Sequence, residues 1–158
     1  MSHGVVAIKR GLIVFWSAWL SVVVATNLLD VLRAVGGLSP GFPFASGNWG
    51  WINQTMNPLG VPRSLQAFLY AGAIAWEAAA AALFWRAALR YRARELAREP
   101  AAVLACGVNL GLWGAFQVLD EVFMAYQPEA VHRAIFLSQL GTLLALHLLP
   151  SSPPDQAP

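Results

Sequence analysis

The sequence predicts an all-α fold, a bundle of four transmembrane helices that run alternately up and down. The chain has 158 residues, of which 58% are hydrophobic and only 11% are charged, and its mean hydropathy is +0.55. A soluble domain ordinarily carries about 25% charged residues, so this chain has too few to coat a soluble globule of its size. The composition therefore argues against a soluble enzyme, a nucleic-acid-binding protein and a disordered chain.

Four apolar stretches have the length that a membrane-spanning helix needs, about 20 residues for a hydrocarbon core about 30 Å thick. The stretches cover residues 11–29, 64–85, 101–119 and 134–149. They predict helices at about 9–35, 64–90, 100–126 and 130–149, within a single membrane domain that spans residues 1–150. The Pro-rich, polar tail at 151–158 is expected to be disordered.

The first apolar stretch follows Lys9 and Arg10, as the core of a signal peptide would. It is longer than the 7–15 residues typical of such a core, and no cleavage site of small residues follows it. We therefore expect this stretch to remain in the protein as its first transmembrane helix.

The positive charges predict how the chain is oriented in a bacterial inner membrane. Only three of the ten Lys and Arg residues, Arg33, Arg63 and Arg133, lie at one side of the predicted helices. The other seven lie before the first helix or in the link at 86–99: Lys9, Arg10, Arg86, Arg90, Arg92, Arg94 and Arg98. Because cytoplasmic loops carry the excess of positive charge, we expect both termini and this link to be cytoplasmic. Residues 36–63 then form a long non-cytoplasmic loop.

This outer segment, residues 36–63, is rich in Gly and Pro, which argues against a continuous helix. Aromatic residues interleave it at Phe42, Phe44, Trp49 and Trp51. The favoured interpretation is an aromatic belt at the lipid interface, where Trp is common in membrane proteins. The alternative is a lid over a polar mouth between the helices.

Small residues indicate where the predicted helices pack closely. The third helix offers Gly107, Gly111 and Gly114, and the second offers a run of alanines at 78–82. Small residues let helix backbones approach each other in lipid. Packing inside one bundle is favoured, and a homodimer seam is the alternative. The single cysteine, Cys106, excludes a disulfide within the chain.

Ionisable residues at the outer ends of three predicted helices form a candidate polar mouth cluster. The cluster comprises Asn27, Asp30, Arg33, Asp120, Glu121, His132 and Arg133. Ionisable side chains within a membrane normally face a partner or water, so we expect these groups to converge near the outer mouth of the bundle. The favoured arrangement is an ion-pair network, in which Arg33 and Arg133 neutralise Asp30 and Glu121.

Glu77 lies about half-way through the second predicted helix and is treated separately. Without a cation nearby, a buried acid at this depth is expected to be neutral. One interpretation is a hydrogen bond across the helix interface to Asn109, Gln117 or Gln139, since such bonds join transmembrane helices. The other is a proton-carrying or ligand-binding carboxyl.

The sequence predicts no catalytic residue, no metal and no cofactor. A metal site from Asp30, Asp120, Glu121 and His132 would suit Zn, Mn or Fe by ligand type, but two nearby arginines oppose it. His132 and His147 lie on one predicted helix, about 22 Å apart, so they do not suit a haem held by two histidines. Motifs for covalent haem, phosphate loops, serine hydrolases and zinc proteases are absent from the sequence.

Several short patterns resemble an uncharacterised bacterial family of predicted small integral membrane proteins, a domain of unknown function. The resemblance covers roughly residues 10–148. The patterns are Asn27-Leu-Leu-Asp30, Trp76-Glu77, Trp113 with Phe116, Glu121-Val-Phe123-Met-Ala-Tyr126-Gln127, and Arg133 at the start of the last helix. The chain departs from the family pattern at Val31, Asp120 and His132. The resemblance implies a four-helix integral membrane protein and supplies no activity, substrate or cofactor.

Three functions remain open from the sequence. The favoured one is a non-enzymatic accessory or assembly subunit of a larger membrane complex, because the chain is small and lacks a soluble domain or a catalytic motif. The second is a proton relay or small-solute transporter that uses the intramembrane carboxylates. The third is a membrane-embedded redox or quinone-binding protein. The expected partners are the lipid bilayer, other membrane subunits or a second copy, and no nucleic acid.

Overall fold

A computed structural model describes residues 3–90 and 100–149, and this part of the chain is helical without strands. Helices α1, α3, α4 and α5 are long and apolar enough to cross a membrane, which confirms the predicted all-α class and the prediction of four helices of membrane-spanning length. The helices are α1 (His3–Ala34), α2 (Asn48–Met56), α3 (Arg63–Arg90), α4 (Pro100–Val122) and α5 (Tyr126–Leu148). Part of the link that we expect to be cytoplasmic, with Arg92, Arg94 and Arg98, lies outside the described residues. So does the tail at 151–158, which we expect to be disordered.

Helix α2 is the main element that the sequence did not predict. It begins after Gly47, whose φ of 83° is left-handed and suits glycine. A 3₁₀ turn at Asn57–Leu59 then leads into α3. A nine-residue helix is marginal in water by itself, so contacts with the rest of the bundle must hold α2 in place.

The turn between α4 and α5 is tighter than expected. Helix α4 ends at Val122 and α5 begins at Tyr126, whereas the predicted helices ended near 126 and began near 130. Met124 has a left-handed φ of 52°, and the amide of Ala125 donates to the carbonyl of Asp120 at 2.7 Å. This is the Schellman pattern that ends many helices. Pro128 lies in the first turn of α5, where its missing amide hydrogen costs nothing.

One half of the bundle has a closed apolar core. The rings of Trp16 and Phe84 stack there with centroids 6.5 Å apart, and buried alanines on α3 and α4 leave room for them. Trp16 also donates to Thr142 Oγ1 at 2.9 Å, which joins α1 to α5. The buried core residues are Ile13, Trp16, Leu20, Ala80, Ala81, Phe84, Ala87, Ala101, Ala102, Ala105, Cys106 and Leu146.

The predicted small-residue packing is present in part. A Cβ at Gly111 would lie 3.3 Å from Trp76, and one at Gly114 would lie 3.7 Å from Phe136. These two glycines therefore accommodate rings of α3 and α5 inside the bundle. Gly107 has open space beside it instead, so it does not contribute to this packing.

Candidate functional site

The half of the bundle nearest α2 is hollow and contains a cavity of about 700 Å³, here called the aromatic cavity. All five helices contribute to its walls. Its ionisable lining residues other than Tyr70 are Glu77, Asp120 and His132, and no Lys or Arg lines it among the described residues. Eight aromatic side chains line it: Trp19, Trp51, Phe68, Tyr70, Trp76, Trp113, Phe116 and Phe123.

Asp30 holds α2 against the bundle. Its side chain is almost fully buried, with 1% of the residue exposed. One oxygen accepts from Arg33, one turn further along α1, and the other accepts from the backbone amide of Trp49 at 2.7 Å and the hydroxyl of Tyr70 at 3.1 Å. The first amides of a helix have no partner within it and attract negative charge. Asp30 therefore acts as an N-terminal cap for α2, supplied from another helix.

Asn27, one turn before Asp30, links α2 to Glu77. The side-chain oxygen of Asn27 accepts from Asn48 Nδ2 at 2.8 Å. Its side-chain nitrogen donates to Glu77 Oε2, also at 2.8 Å. The contact with Asn48 orients the amide of Asn27, so that its hydrogens face the carboxyl of Glu77. Tyr70 and Glu77 both contact α1 because residues seven apart share one helix face.

The partners predicted for Glu77 are wrong. Glu77 is 3% exposed and contacts Asn27 on α1, rather than α4 or α5. Asn109 donates instead to Gln139 Oε1 at 2.9 Å, and Gln117 donates to a backbone carbonyl of its own helix. The pair of Asn109 and Gln139 joins α4 to α5, and none of the three amides hydrogen-bonds to the carboxyl of Glu77. The reason is rotational, since the polar face of α3 points toward α1.

Asp120 and His132 form a pair on the opposite wall of the cavity. Asp120 Oδ2 lies 2.7 Å from His132 Nδ1, and Asp120 is 4% exposed. The ring of Phe116 stacks on the imidazole with centroids 4.9 Å apart, and the Trp113 ring lies 5.7 Å away. This pair joins the end of α4 to the start of α5 beside the cavity.

Glu121 and Arg133 do not join the predicted network. Glu121 is exposed on α4, and Arg133 pairs with Glu129, one turn earlier on α5, at 3.2 Å. Adjacent helix residues point about 100° apart, so a helix that turns Asp120 inward turns Glu121 outward. The same holds for His132 and Arg133. The predicted single mouth cluster is therefore two groups, one around Asp30 and Asn27 and one formed by Asp120 and His132.

The outer segment covers the cavity. Trp49 stacks on Tyr70 with centroids 6.1 Å apart, and the Arg63 guanidinium lies 5.7 Å above the Trp49 ring. Trp51 lines the cavity itself, whereas Phe44 is 69% exposed. These contacts favour the lid interpretation over the belt at residues 48–56.

Sequence reasoning missed Asn48 and Tyr70 as members of the site. The spacing of Tyr70, seven residues before Glu77, is a signal that could have placed its hydroxyl on the same helix face. Nothing local marked Asn48, because its role depends on how the segment after α1 folds back. Ser46 joins this contact region as well, since its amide donates to the carbonyl of Thr26 at 3.1 Å.

Within the described ranges, no group of three or more His, Cys, Asp or Glu residues is close enough to hold a metal ion. The four ligands considered from the sequence are divided: Asp30 is bound to α2 and Arg33, and Glu121 points outward. Comparisons of the chain with protein-family models, curated proteins and solved structures find no match. The geometry of the aromatic cavity is therefore the basis for the function proposed below.

Proposed function

We propose that this chain is a multi-pass protein of the bacterial inner membrane whose four long helices are antiparallel. Contacts along the helices support this arrangement: Asn27 meets Glu77, and Ser21 meets Trp85, so positions rise along α1 as they fall along α3. The distribution of Lys and Arg supports cytoplasmic termini and a non-cytoplasmic α2.

Single-cysteine labelling tests this orientation. Cys106 is fully buried, so Cys106→Ser provides a background without a thiol. In that background, Ser39→Cys is expected to react with a membrane-impermeant maleimide added to cells with a permeabilised outer membrane. Arg90→Cys is expected to react only after the inner membrane is opened. The reverse pattern would refute the proposed orientation.

We further propose that the protein binds a small amphipathic molecule drawn from the membrane. The observation that carries this proposal is the aromatic cavity. A volume of about 700 Å³ falls in the range of small-molecule sites, which are mostly apolar with a few converging polar groups. Here those groups are Glu77, Asn27, Asp120 and His132. Phe68, on the rim, is 73% exposed and marks a lateral opening toward lipid.

Binding is supported better than passage across the membrane. The closed apolar core separates the aromatic cavity from the other end of the bundle. The buried polar groups between the cavity and that core are uncharged and hydrogen-bonded to one another or to helix carbonyls: Ser17, Asn109, Gln139 and Thr142. Lys9 is also buried, but it lies beyond the core, where it donates to the carbonyl of Leu149 at 2.8 Å. A proton relay would need titratable groups along such a path.

The binding proposal is tested with a neutral aromatic probe, N-phenyl-1-naphthylamine, which accepts energy from nearby tryptophans. The protein in nanodiscs is expected to bind it saturably. Gly72 lines the cavity, and a side chain there meets open space. Gly72→Phe is therefore expected to weaken probe binding at least tenfold without unfolding the protein.

Gly107→Phe is the matched control. Gly107 is also a helical glycine with open space beside it, but it lies outside the cavity lining. Equal loss of probe binding in both variants, or no saturable binding by the parent protein, would refute the proposed function.

The accessory role favoured by the sequence is compatible with a ligand-binding subunit and has a separate test. Purification in mild detergent is expected to recover a larger partner in stoichiometric amount. An isolated monomer or homodimer would count against that role while leaving the binding proposal intact.

A further inference from the structure

We infer that the molecule bound in the aromatic cavity is a lipophilic organic cation, and that Glu77 provides its counter-charge. This inference rests on the proposed binding function and specifies the class of ligand. The class comprises molecules with one positively charged nitrogen or phosphorus centre surrounded by apolar or aromatic groups.

The distribution of charge around the cavity is the first argument. Two carboxyls and one imidazole line it, and no Lys or Arg does so within the described ranges. The imidazole of His132 is paired with Asp120. Of the two cations beside the lid, Arg33 is paired with Asp30, and Arg63 lies over the outer segment's Trp49 ring. The structure thus gives Asp30, Asp120 and Glu129 a basic partner, and Glu121, the remaining described acid at this end of the bundle, is exposed rather than buried.

Glu77 is the exception. Its described hydrogen bond comes from the neutral amide of Asn27. Only 3% of the residue is exposed, yet it also lines the cavity. A buried carboxylate is costly unless a positive charge compensates it. A cation in the cavity would supply that compensation, whereas an anion would add to the negative charge already present.

The walls provide the second argument. Cations are attracted to the faces of aromatic rings, most strongly to tryptophan. Four of the eight aromatic lining residues are tryptophans: Trp19, Trp51, Trp76 and Trp113. Trp76 lies next to Glu77 in sequence, and its ring is fixed by a hydrogen bond from Nε1 to the carbonyl of Val108 at 3.0 Å. Aromatic faces and a carboxyl in one apolar cavity suit a bulky cation better than a neutral lipid tail alone.

Asn27 acts as a positioning residue in this arrangement. Its amide holds Glu77 Oε2, and the same side chain is oriented by Asn48 of the lid. The other carboxylate oxygen has no hydrogen bond to the described part of the chain, so it is the atom left to face a ligand. Lid, Asn27 and Glu77 form one continuous chain of contacts.

The experiment compares two ions of similar size and opposite charge, tetraphenylphosphonium and tetraphenylborate, in nanodiscs of zwitterionic lipid. Binding is followed by quenching of tryptophan fluorescence. For each ion, the affinity of the parent protein is divided by that of Gly72→Phe in the same nanodiscs, so that the contribution of partitioning into lipid cancels. The parent protein is expected to bind the phosphonium at least tenfold more tightly than the borate. Equal affinities would overturn the inference.

Glu77→Gln is expected to weaken phosphonium binding at least tenfold more than it weakens binding of the neutral naphthylamine probe. Glu129 is an acid outside the cavity lining, and Glu129→Gln is therefore the matched control. It is expected to leave the affinities for both probes within about twofold of those of the parent protein. Equal losses in the two variants would also overturn the inference. If the neutral probe binds and responds to Gly72→Phe but the cation is not preferred, the binding function stands and the inference fails. If none of the probes binds, both fail.

Discussion

Removing the carboxyl of Asp30 is expected to release α2 from the bundle without unfolding the closed apolar core. In Asp30→Ala, the amide of Trp49, the hydroxyl of Tyr70 and the guanidinium of Arg33 all lose an acceptor. Breaking a buried ion pair by removing one partner costs about 3–5 kcal/mol, and losing a helix N-cap costs about 1 kcal/mol. The Arg33 side chain is 26% exposed and can turn to water, which places the net loss near the lower limit, at about 3 kcal/mol.

A loss of about 3 kcal/mol corresponds to roughly a hundredfold increase in the opening equilibrium of α2. Amide hydrogen exchange followed by mass spectrometry measures this directly. The amides of residues 48–56 are expected to exchange about a hundredfold faster in Asp30→Ala. Those of residues 101–106, in the closed core, serve as the internal reference and are expected to change little. Asp30→Asn keeps an oxygen for the Trp49 amide and is expected to show a smaller effect.

Glu129→Ala is the matched control because it also removes an ion pair formed by neighbouring turns of one helix. The pair of Glu129 and Arg133 is more exposed than that of Asp30 and Arg33, with side-chain exposures of 24% and 56% against 2% and 26%. Exposed pairs contribute about 0.2–1 kcal/mol, so this variant is expected to leave α2 exchange unchanged. The reasoning is refuted if α2 exchanges no faster in Asp30→Ala than in Glu129→Ala, or if the core amides accelerate equally.

Three further predictions concern the packing of the bundle. Gly111→Leu would push against Trp76, 3.3 Å from the new Cβ, and is expected to destabilise the protein by about 1–3 kcal/mol, measured by thermal unfolding. Gly107→Leu, beside open space, is expected to have little effect. Equal shifts of the unfolding temperature in the two variants would contradict the packing role of Gly111. A double-mutant cycle of Trp16→Phe and Thr142→Val is expected to give a coupling of about 0.6 kcal/mol, typical of hydrogen bonds between transmembrane helices, and zero coupling would show that the contact at 2.9 Å is not stabilising. Cys106, fully buried in the closed core, is expected to react with a maleimide only after denaturation in SDS, and rapid labelling of the folded protein would contradict the core as described.

The lid shows how a short segment depends on distant residues. Helix α2 has no side-chain cap of its own, and its first turn is instead held by Asp30 of α1. Local sequence indicated only a region rich in Gly and Pro. The helix became identifiable once α1 and α3 had brought Asp30, Asn27 and Tyr70 to the same side of the bundle.

The composition and the four apolar stretches sufficed to establish an all-helical chain with four helices able to cross a membrane, because hydrocarbon thickness sets a helix length that can be counted along the sequence. The sequence also identified Asn27, Asp30, Glu77, Asp120 and His132 as residues that need partners. It did not determine which partners they have. Those depend on helix rotation, which turns Asp120 inward and Glu121 outward, and on the side to which α3 presents Glu77. Rotation is decided by packing between helices, and only the tertiary structure contains it.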